Sequence, residues 1–173
     1  MHTGWNPLND IWYDDDNSHD NTGSVVWSSQ KVLWSYIYTN KDEFDLGSVV
    51  ELGSGTGMLS NLILDLGAKH VTASDQYVET LKKTCSDKIN IKTFCFGDNI
   101  TDWLSNATLI IASDVLYLPD HPTKLCKTIN SLVCTVVICS SMRCPSIIRD
   151  FEANLQRSFV KQLVDNHIIH IIK

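Results

Sequence analysis

No apolar run in this chain approaches the roughly 20 residues a membrane-spanning helix needs, so a helical span is not expected. Basic residues are scarce: 14 Lys and Arg stand against 20 Asp and Glu, a net charge of −6. A nucleic-acid-binding surface needs clustered Lys and Arg, so that partner class is disfavoured; the charge fits a basic partner, and equally an ordinary mildly acidic soluble protein. The six cysteines (Cys85, Cys95, Cys126, Cys134, Cys139 and Cys144) include no C-x-x-C pair and have no accompanying histidine pattern. That argues against a zinc site and for reduced core thiols in a cytosolic protein. Met1 to Asp20 is polar and acidic, unlike a secretory signal. No internal repeat, low-complexity tract or second domain is evident, and 173 residues with 43% apolar content suit one domain.

The strongest positive feature is Val49-Val50-Glu51-Leu52-Gly53-Ser54-Gly55-Thr56-Gly57. A β-branched run ends in an acid and then in alternating glycines. A helical pattern follows at once in Met58, Leu59, Leu62, Ile63 and Leu66. This reads as strand, tight turn and helix, the first crossover of a nucleotide-binding α/β domain. Glycine lets the backbone turn sharply and approach a ligand where a Cβ would clash. The spacing is G-x-G-x-G; the dinucleotide fingerprint would need glycine at Met58. The missing glycine turns the reading from a dinucleotide toward S-adenosylmethionine.

Elements alternate along the rest of the chain. Helices are expected at Val26 to Tyr38, Gly57 to Leu66, Val78 to Cys85, Pro122 to Leu132 and Ser146 to Phe159. Strands are expected at Ser48 to Leu52, His70 to Ser74, Ile91 to Phe96, Leu109 to Ser113 and Thr135 to Ser140. Gly67 stands where a helix C-cap glycine belongs. Two strand-like runs, Val160 to Val164 and Ile168 to Ile172, close the chain around Asp165-Asn166-His167. Alternation implies right-handed crossovers and a mainly parallel sheet; the short last connection implies an antiparallel hairpin. Residues 1–22 read as an N-terminal arm, with a short strand at Ile11 to Tyr13, and residues 23–173 as the domain.

In such a sheet, ligands bind beyond the carboxyl ends of the strands. Glu51 ends the first strand within reach of the turn or of a ligand's ammonium group. Ser74-Asp75-Gln76 ends the second, and Asp75 follows the glycines by about 20 residues, the spacing of a ribose-binding acid. Phe96-Gly97-Asp98-Asn99-Ile100 ends the third. Asp98 or Asn99 there suits an adenine amino group, but Gly-Asp-Asn is equally ordinary turn chemistry. Trp103 is a second candidate for the adenine ring contact. Ser113-Asp114-Val115-Leu116-Tyr117 ends the fourth, placing an acid and a tyrosine beside the glycine turn.

These residues together resemble the class I, seven-strand S-adenosylmethionine-dependent methyltransferases. More narrowly they resemble methyltransferase family 16, the protein-lysine methyltransferases that modify chaperones and elongation factors. The resemblance rests on Thr22-Gly23-Ser24-Val25-Val26-Trp27, on Glu51 to Gly57, on Asp75, and on Asp114-Val115-Leu116-Tyr117, a D-x-x-Y motif. It implies a Rossmann-like seven-strand fold with helices on both faces. It also implies roles: Trp27 near the methionine end of the cofactor; Gly53, Ser54, Gly55 and Gly57 along it; Asp75 and Gln76 at the ribose. Asp98 and Asn99 would border adenine, and Ser113 would touch the cofactor at the end of the fourth strand. Asp114 and Tyr117 would face the methyl acceptor. Two features depart from the family pattern: the chain is short, and the third-strand loop lacks the usual apolar-x-Trp turn.

The resemblance implies a cytoplasmic, monomeric enzyme that methylates an exposed lysine of a protein. A lysine must lose a proton before attack, and a carboxylate favours the charged amine. Asp114 is therefore expected to capture and orient the lysine rather than act as a strong base. The acidic cluster Asp14-Asp15-Asp16 with Asp20 is a candidate docking site for a basic segment, or a solvated arm. Methylation of another protein nitrogen or a small molecule, a non-catalytic interaction module, and a nicotinamide dehydrogenase are the competing readings. The glycine spacing disfavours the last.

Overall fold

The computed structural model describes residues 26–173. The expected strand at Ile11 to Tyr13, the acidic cluster and the Thr22–Val25 part of the family motif lie outside the described residues. Among the described residues, seven strands form one sheet: β1 (Ser48–Leu52), β2 (His70–Asp75), β3 (Asn90–Thr93), β4 (Leu109–Ser113), β5 (Thr135–Ser141), β6 (Phe159–Val164) and β7 (His167–Ile172). Their order is β3-β2-β1-β4-β5-β7-β6. Strands β1 to β5 pair in parallel, and β7 runs antiparallel to both β5 and β6. Helices α1 (Ser28–Thr39), α2 (Met58–Asp65), α3 (Glu79–Thr84), α4 (Asp102–Ser105), α5 (His121–Asn130) and α6 (Pro145–Asn154) connect and cover them.

The period of two along each strand sorts side chains between two cores. Val50, Leu52, Ile110, Ala112, Val136 and Ile138 point to a core closed by Leu104 of α4, Leu125 and Ile129 of α5, and Phe151 of α6. Val49, Val71, Ala73, Leu109, Ile111, Val137 and Cys139 point to the other, closed by Leu33 and Ile37 of α1, Leu59 and Ile63 of α2, and Leu81 of α3. With helices on both faces, the central strands are apolar at nearly every position.

Local chemistry explains the element ends. Helix α2 closes with a Schellman arrangement: Gly67, at φ +104, donates to the Leu64 carbonyl while Ala68 donates to that of Ile63. The hairpin turns on two residues, Asp165 and Asn166, both with positive φ (44° and 61°), so His167 belongs to β7 rather than to the turn. Strand β3 stops at Thr93, short of the expected Phe96, because Phe94 turns into the α4–α5 core. Helix α6 stops at Asn154 rather than Phe159: Leu155 is extended, and Asn130 of α5 captures the next amide, that of Gln156, at 2.9 Å. Phe159 then opens β6.

The glycine turn is built largely against its own protein. A Cβ on Gly53 would lie 2.7 Å from Cγ1 of Val115, and one on Gly57 would lie 2.3 Å from Sγ of Cys85. Both residues also hold positive φ. Gly57→Ala is expected to destabilise the fold by about 2 kcal/mol or more through left-handed strain and steric overlap. Cys85→Ala in the same chain removes the overlap, so a double-mutant cycle in urea should show favourable coupling between the two substitutions.

Candidate functional site

The chain reverses direction across the sheet between β1 and β4, so their adjacent carboxyl ends form the crevice of an open α/β fold. Around it the structure brings together Glu51, the Gly53–Gly57 turn, Asp75, Ser113 and Asp114, each at a strand end as the spacing predicts.

Alternation places Glu51 on the face of Val49, beneath α2, and it is fully buried. Ser60 Oγ of α2 donates to its Oε2 at 2.5 Å, while Oε1 has no partner. Burial pushes the carboxyl up to about 8 despite the Ser60 hydrogen bond. Glu51 is therefore a neutral acid under the turn at pH 7, not a carboxylate reaching for a ligand's ammonium group. Ser54 is spent in the same way. Its Oγ donates to the Glu51 carbonyl and accepts the Ser74 amide, and its own amide donates to the Ser74 carbonyl, stitching β1 to β2. The Gly55 amide donates to Asp75 Oδ2 at 2.9 Å and the Gly57 amide to the Ser54 carbonyl at 2.8 Å. The amides of Ser54, Gly55 and Gly57 are thus satisfied internally.

Asp75 also accepts the Tyr77 amide through Oδ1 at 3.1 Å. A carboxylate has about four acceptor positions, so roughly two remain at this half-exposed group. Gln76 beside it is exposed. At the third strand, Gly97-Asp98-Asn99 forms a turn. Asp98 Oδ2 accepts the Cys95 amide, Gly97 has φ +87, and its amide donates to Thr128 Oγ1 of α5. Trp103 lies in α4 and packs edge-on against Phe94 at 5.7 Å, helping to close the core rather than the crevice.

The mouth of the crevice carries an aromatic group that sequence reasoning missed in part. His121 lies edge-on to Tyr117 at 4.6 Å and to Phe96 at 5.5 Å between ring centroids. Its Nδ1 donates to the Val115 carbonyl at 2.6 Å, since a carbonyl only accepts. Phe96 in turn approaches Gly53, its Cζ 3.4 Å from where a Cβ would stand. Tyr117 is exposed on the rim.

Asp114 has φ +54, an uncommon conformation for a residue with a side chain, and its amide donates to the Cys139 carbonyl. The carboxylate is buried, and both of its oxygens accept hydrogen bonds. Oδ1 accepts the Ser141 amide (3.2 Å) and hydroxyl (2.9 Å), and Oδ2 pairs with Arg143 Nη2 at 2.6 Å. Arg143 Cζ stands 4.6 Å from the centroid of the Trp27 ring. Ser141 and Arg143 were not foreseen: Ser141 ends β5 and Arg143 follows it, neither with a motif of its own, and only the pairing of β4 with β5 brings them to Asp114. Buried Ser113 Oγ, Ser140 Oγ, Ser29 Oγ and Gln30 Oε1 have no hydrogen-bond partner. The cysteines are all free; Cys126 and Cys139 are buried, but Cys95 is exposed, which departs from the core reading.

Comparison with solved structures defines the class. A TehB-like S-adenosylmethionine-dependent methyltransferase from Corynebacterium glutamicum shares the fold with a TM-score of 0.62 at 10% identity, over 81% of this chain and 86% of that one. The fold is thus the Rossmann-like seven-strand methyltransferase fold. A family model described as lysine methyltransferase matches residues 7–164. The chain belongs to the lysine methyltransferase family. It is 33% identical over 120 residues to the protein N-lysine methyltransferase METTL21A of Mus musculus, covering 63% of this chain and 55% of that protein. It is 25% identical over 151 residues to EEF1A lysine methyltransferase 3 of Xenopus tropicalis, covering 80% and 67% respectively. The chain spans about half the length of the first curated relatives it matches, between 42% and 61%. No helix among the described residues is long and apolar enough to cross a membrane.

Burial of Glu51 makes stability depend on pH. An acid whose folded value is raised from 4.5 to about 8 binds its proton more tightly in the native state. Its contribution is fully present below 4.5 and is lost as pH rises through about 8. Glu51→Gln mimics the neutral acid, so it is expected to flatten the loss of thermal stability between these pH values, measured by melting across that range.

Proposed function

We propose that this chain is an S-adenosylmethionine-dependent protein N-methyltransferase that acts on a lysine side chain of a cytosolic protein such as an elongation factor or chaperone. The observation that carries the reading is the convergence of Asp75, Ser113 and Asp114 at the β1–β4 crevice of a lysine methyltransferase family member. A relative named for EEF1A supports the elongation-factor substrate. The six free thiols suit a cytosolic setting. Residues 23–173 form the catalytic domain in this reading, and the chain works as a monomer.

The residues present fit the cofactor. Asp75 keeps acceptor positions for the two ribose hydroxyls, oriented by the Gly55 and Tyr77 amides. The partnerless Ser113 hydroxyl has hydrogen-bonding capacity left for a ligand at the end of β4. The amides of Ser54, Gly55 and Gly57 are used internally, so this turn supplies the cofactor with shape rather than with those donors. Asp98 and Asn99 border the adenine from the exposed side, with Phe96 as the apolar neighbour. When bound, the cofactor supplies its own electrophilic methyl on a sulfonium, so the protein contributes orientation and electrostatics. Asp114 holds the acceptor ammonium and sets its line of approach, and its charge favours the protonated amine, whose proton is then lost to water. Tyr117, on the rim, packs against the acceptor's methylene stem.

Titration with S-adenosylhomocysteine tests the cofactor site. The wild-type chain should bind, and Asp75→Ala should bind about tenfold more weakly or worse, the loss expected for hydrogen bonds to a charged group. Asp114→Ala should keep this binding yet lose methyl transfer to lysine in cell lysate, followed with radiolabelled cofactor. Transfer at the wild-type rate by that variant would remove Asp114 from the acceptor side.

A further inference from the structure

We infer that Trp27, Asp114 and Ser141 form a cation seat for the acceptor ammonium, and that Arg143 is its resident cation, a tethered competitor that the incoming lysine displaces. The inference rests on the lysine-methyltransferase reading above for the identity of the incoming cation.

The seat has the two parts that recognise an organic cation. One is an indole face, the strongest aromatic partner for a positive charge, and the other is a buried carboxylate. Arg143 uses both, with Cζ 4.6 Å from the Trp27 centroid and Nη2 2.6 Å from Asp114 Oδ2. Ser141 links them: its Oγ donates to Asp114 Oδ1 and accepts from Arg143 Nε at 2.7 Å.

The two members of the ion pair differ in environment. The Asp114 side chain is 6% exposed, whereas that of Arg143 is 50% exposed. An unpaired carboxylate at such burial is strongly unfavourable, so the seat demands a cation whether or not an acceptor is present. Arg143 meets that demand from the short connection between β5 and α6, outside any regular element. Its withdrawal breaks no helix or strand hydrogen bond, and its half-exposed stem already reaches the surface. A lysine ammonium entering beside the indole replaces one positive charge with another, so the exchange itself does not leave the carboxylate uncompensated. Methylation does not remove that charge, and the indole face also accepts a methylated ammonium.

Occupation by Arg143 lowers the apparent affinity for any external cation by the fraction of time the seat is filled. The test uses n-butylammonium, the lysine side chain cut from its backbone, titrated against wild type, Arg143→Gln and Arg143→Gln/Asp114→Asn, with sodium chloride at matched ionic strength as control. Binding is read as thermal stabilisation. Arg143→Gln should bind n-butylammonium about tenfold more tightly than wild type or better, and Asp114→Asn should abolish the gain. Arg143→Lys keeps a charge for Asp114 and guards against misfolding of the glutamine variant; its gain should be smaller but measurable, because an ammonium lacks the planar fork. No gain in any folded Arg143 variant overturns the inference and makes Arg143 a fixed clamp. S-adenosylhomocysteine binding is measured on the same samples. Its presence without an n-butylammonium gain sinks the resident-cation inference alone, and its absence from wild type sinks the methyltransferase reading independently of the cation result.

Discussion

Strands β1 and β4 carry helices over both faces and neighbouring strands along both edges, so they can present polar chemistry only where they end. Everything functional in this fold follows from that confinement. Val50, Leu52, Ile110 and Ala112 fill one core, and Val49, Leu109 and Ile111 fill the other. At Gly53 and Asp114 the adjacent strands both leave the sheet through left-handed backbone. Those two departures are packed against each other, since Val115 fills the space where Gly53 would carry a Cβ. The glycine turn and the D-x-x-Y segment are therefore one steric unit, and a side chain at Gly53 would disturb the proposed acceptor side as directly as the proposed cofactor side.

Three carboxyl groups stand at these strand ends, and their surroundings give them different states. Glu51 is buried without a countercharge and is held neutral. Asp75 is half-exposed and fixed by two backbone amides. Asp114 is buried but matched by a guanidinium and a serine. Environment, rather than residue type, separates a structural acid from a group suited to neutral hydroxyls and from one suited to a cation. This division keeps three unscreened negative charges from accumulating in the crevice, which suits the cationic cofactor and the cationic acceptor proposed for it.

Much of the architecture was legible from period and punctuation. The β1 and β4 limits, the parallel alternation and the closing hairpin all follow from apolar runs bounded by glycine, acid or Asp-Asn. The ends of β3 and α6 were not, because tertiary packing of Phe94 and capture of the Gln156 amide by Asn130 override local pattern. Within the site, Asp75 and Asp114 were found from strand-end position. The neutral state of Glu51 was within reach of the same alternation rule that sorts Val49 and Val50, had its face been followed to α2. Arg143 and His121 carry no signal in their own segments; each acquires its place through a contact distant in sequence or around a turn.

The two sides of the crevice differ in how they are assembled. The proposed cofactor side is nearly contiguous, running from Glu51 through the glycine turn to Asp75, and is held by short-range backbone hydrogen bonds between β1 and β2. The proposed acceptor side is gathered from remote pieces: Trp27 before α1, Asp114 after β4, Ser141 at the end of β5 and Arg143 after it. Ser28 Oγ bonds His167 Nε2 at 2.9 Å, and the Met142 amide donates to the Asn166 carbonyl, so the hairpin turn braces both the start of α1 and the loop bearing Arg143. A change in the hairpin can thus shift the acceptor seat without touching the glycine turn or Asp75. In the proposed assignment the hairpin, Trp27 and the β5–α6 connection can alter the acceptor seat while Asp75 and the β1–β2 bonds keep the cofactor side, and the Asp114 segment, packed through Val115 against Gly53, is the part the two sides share.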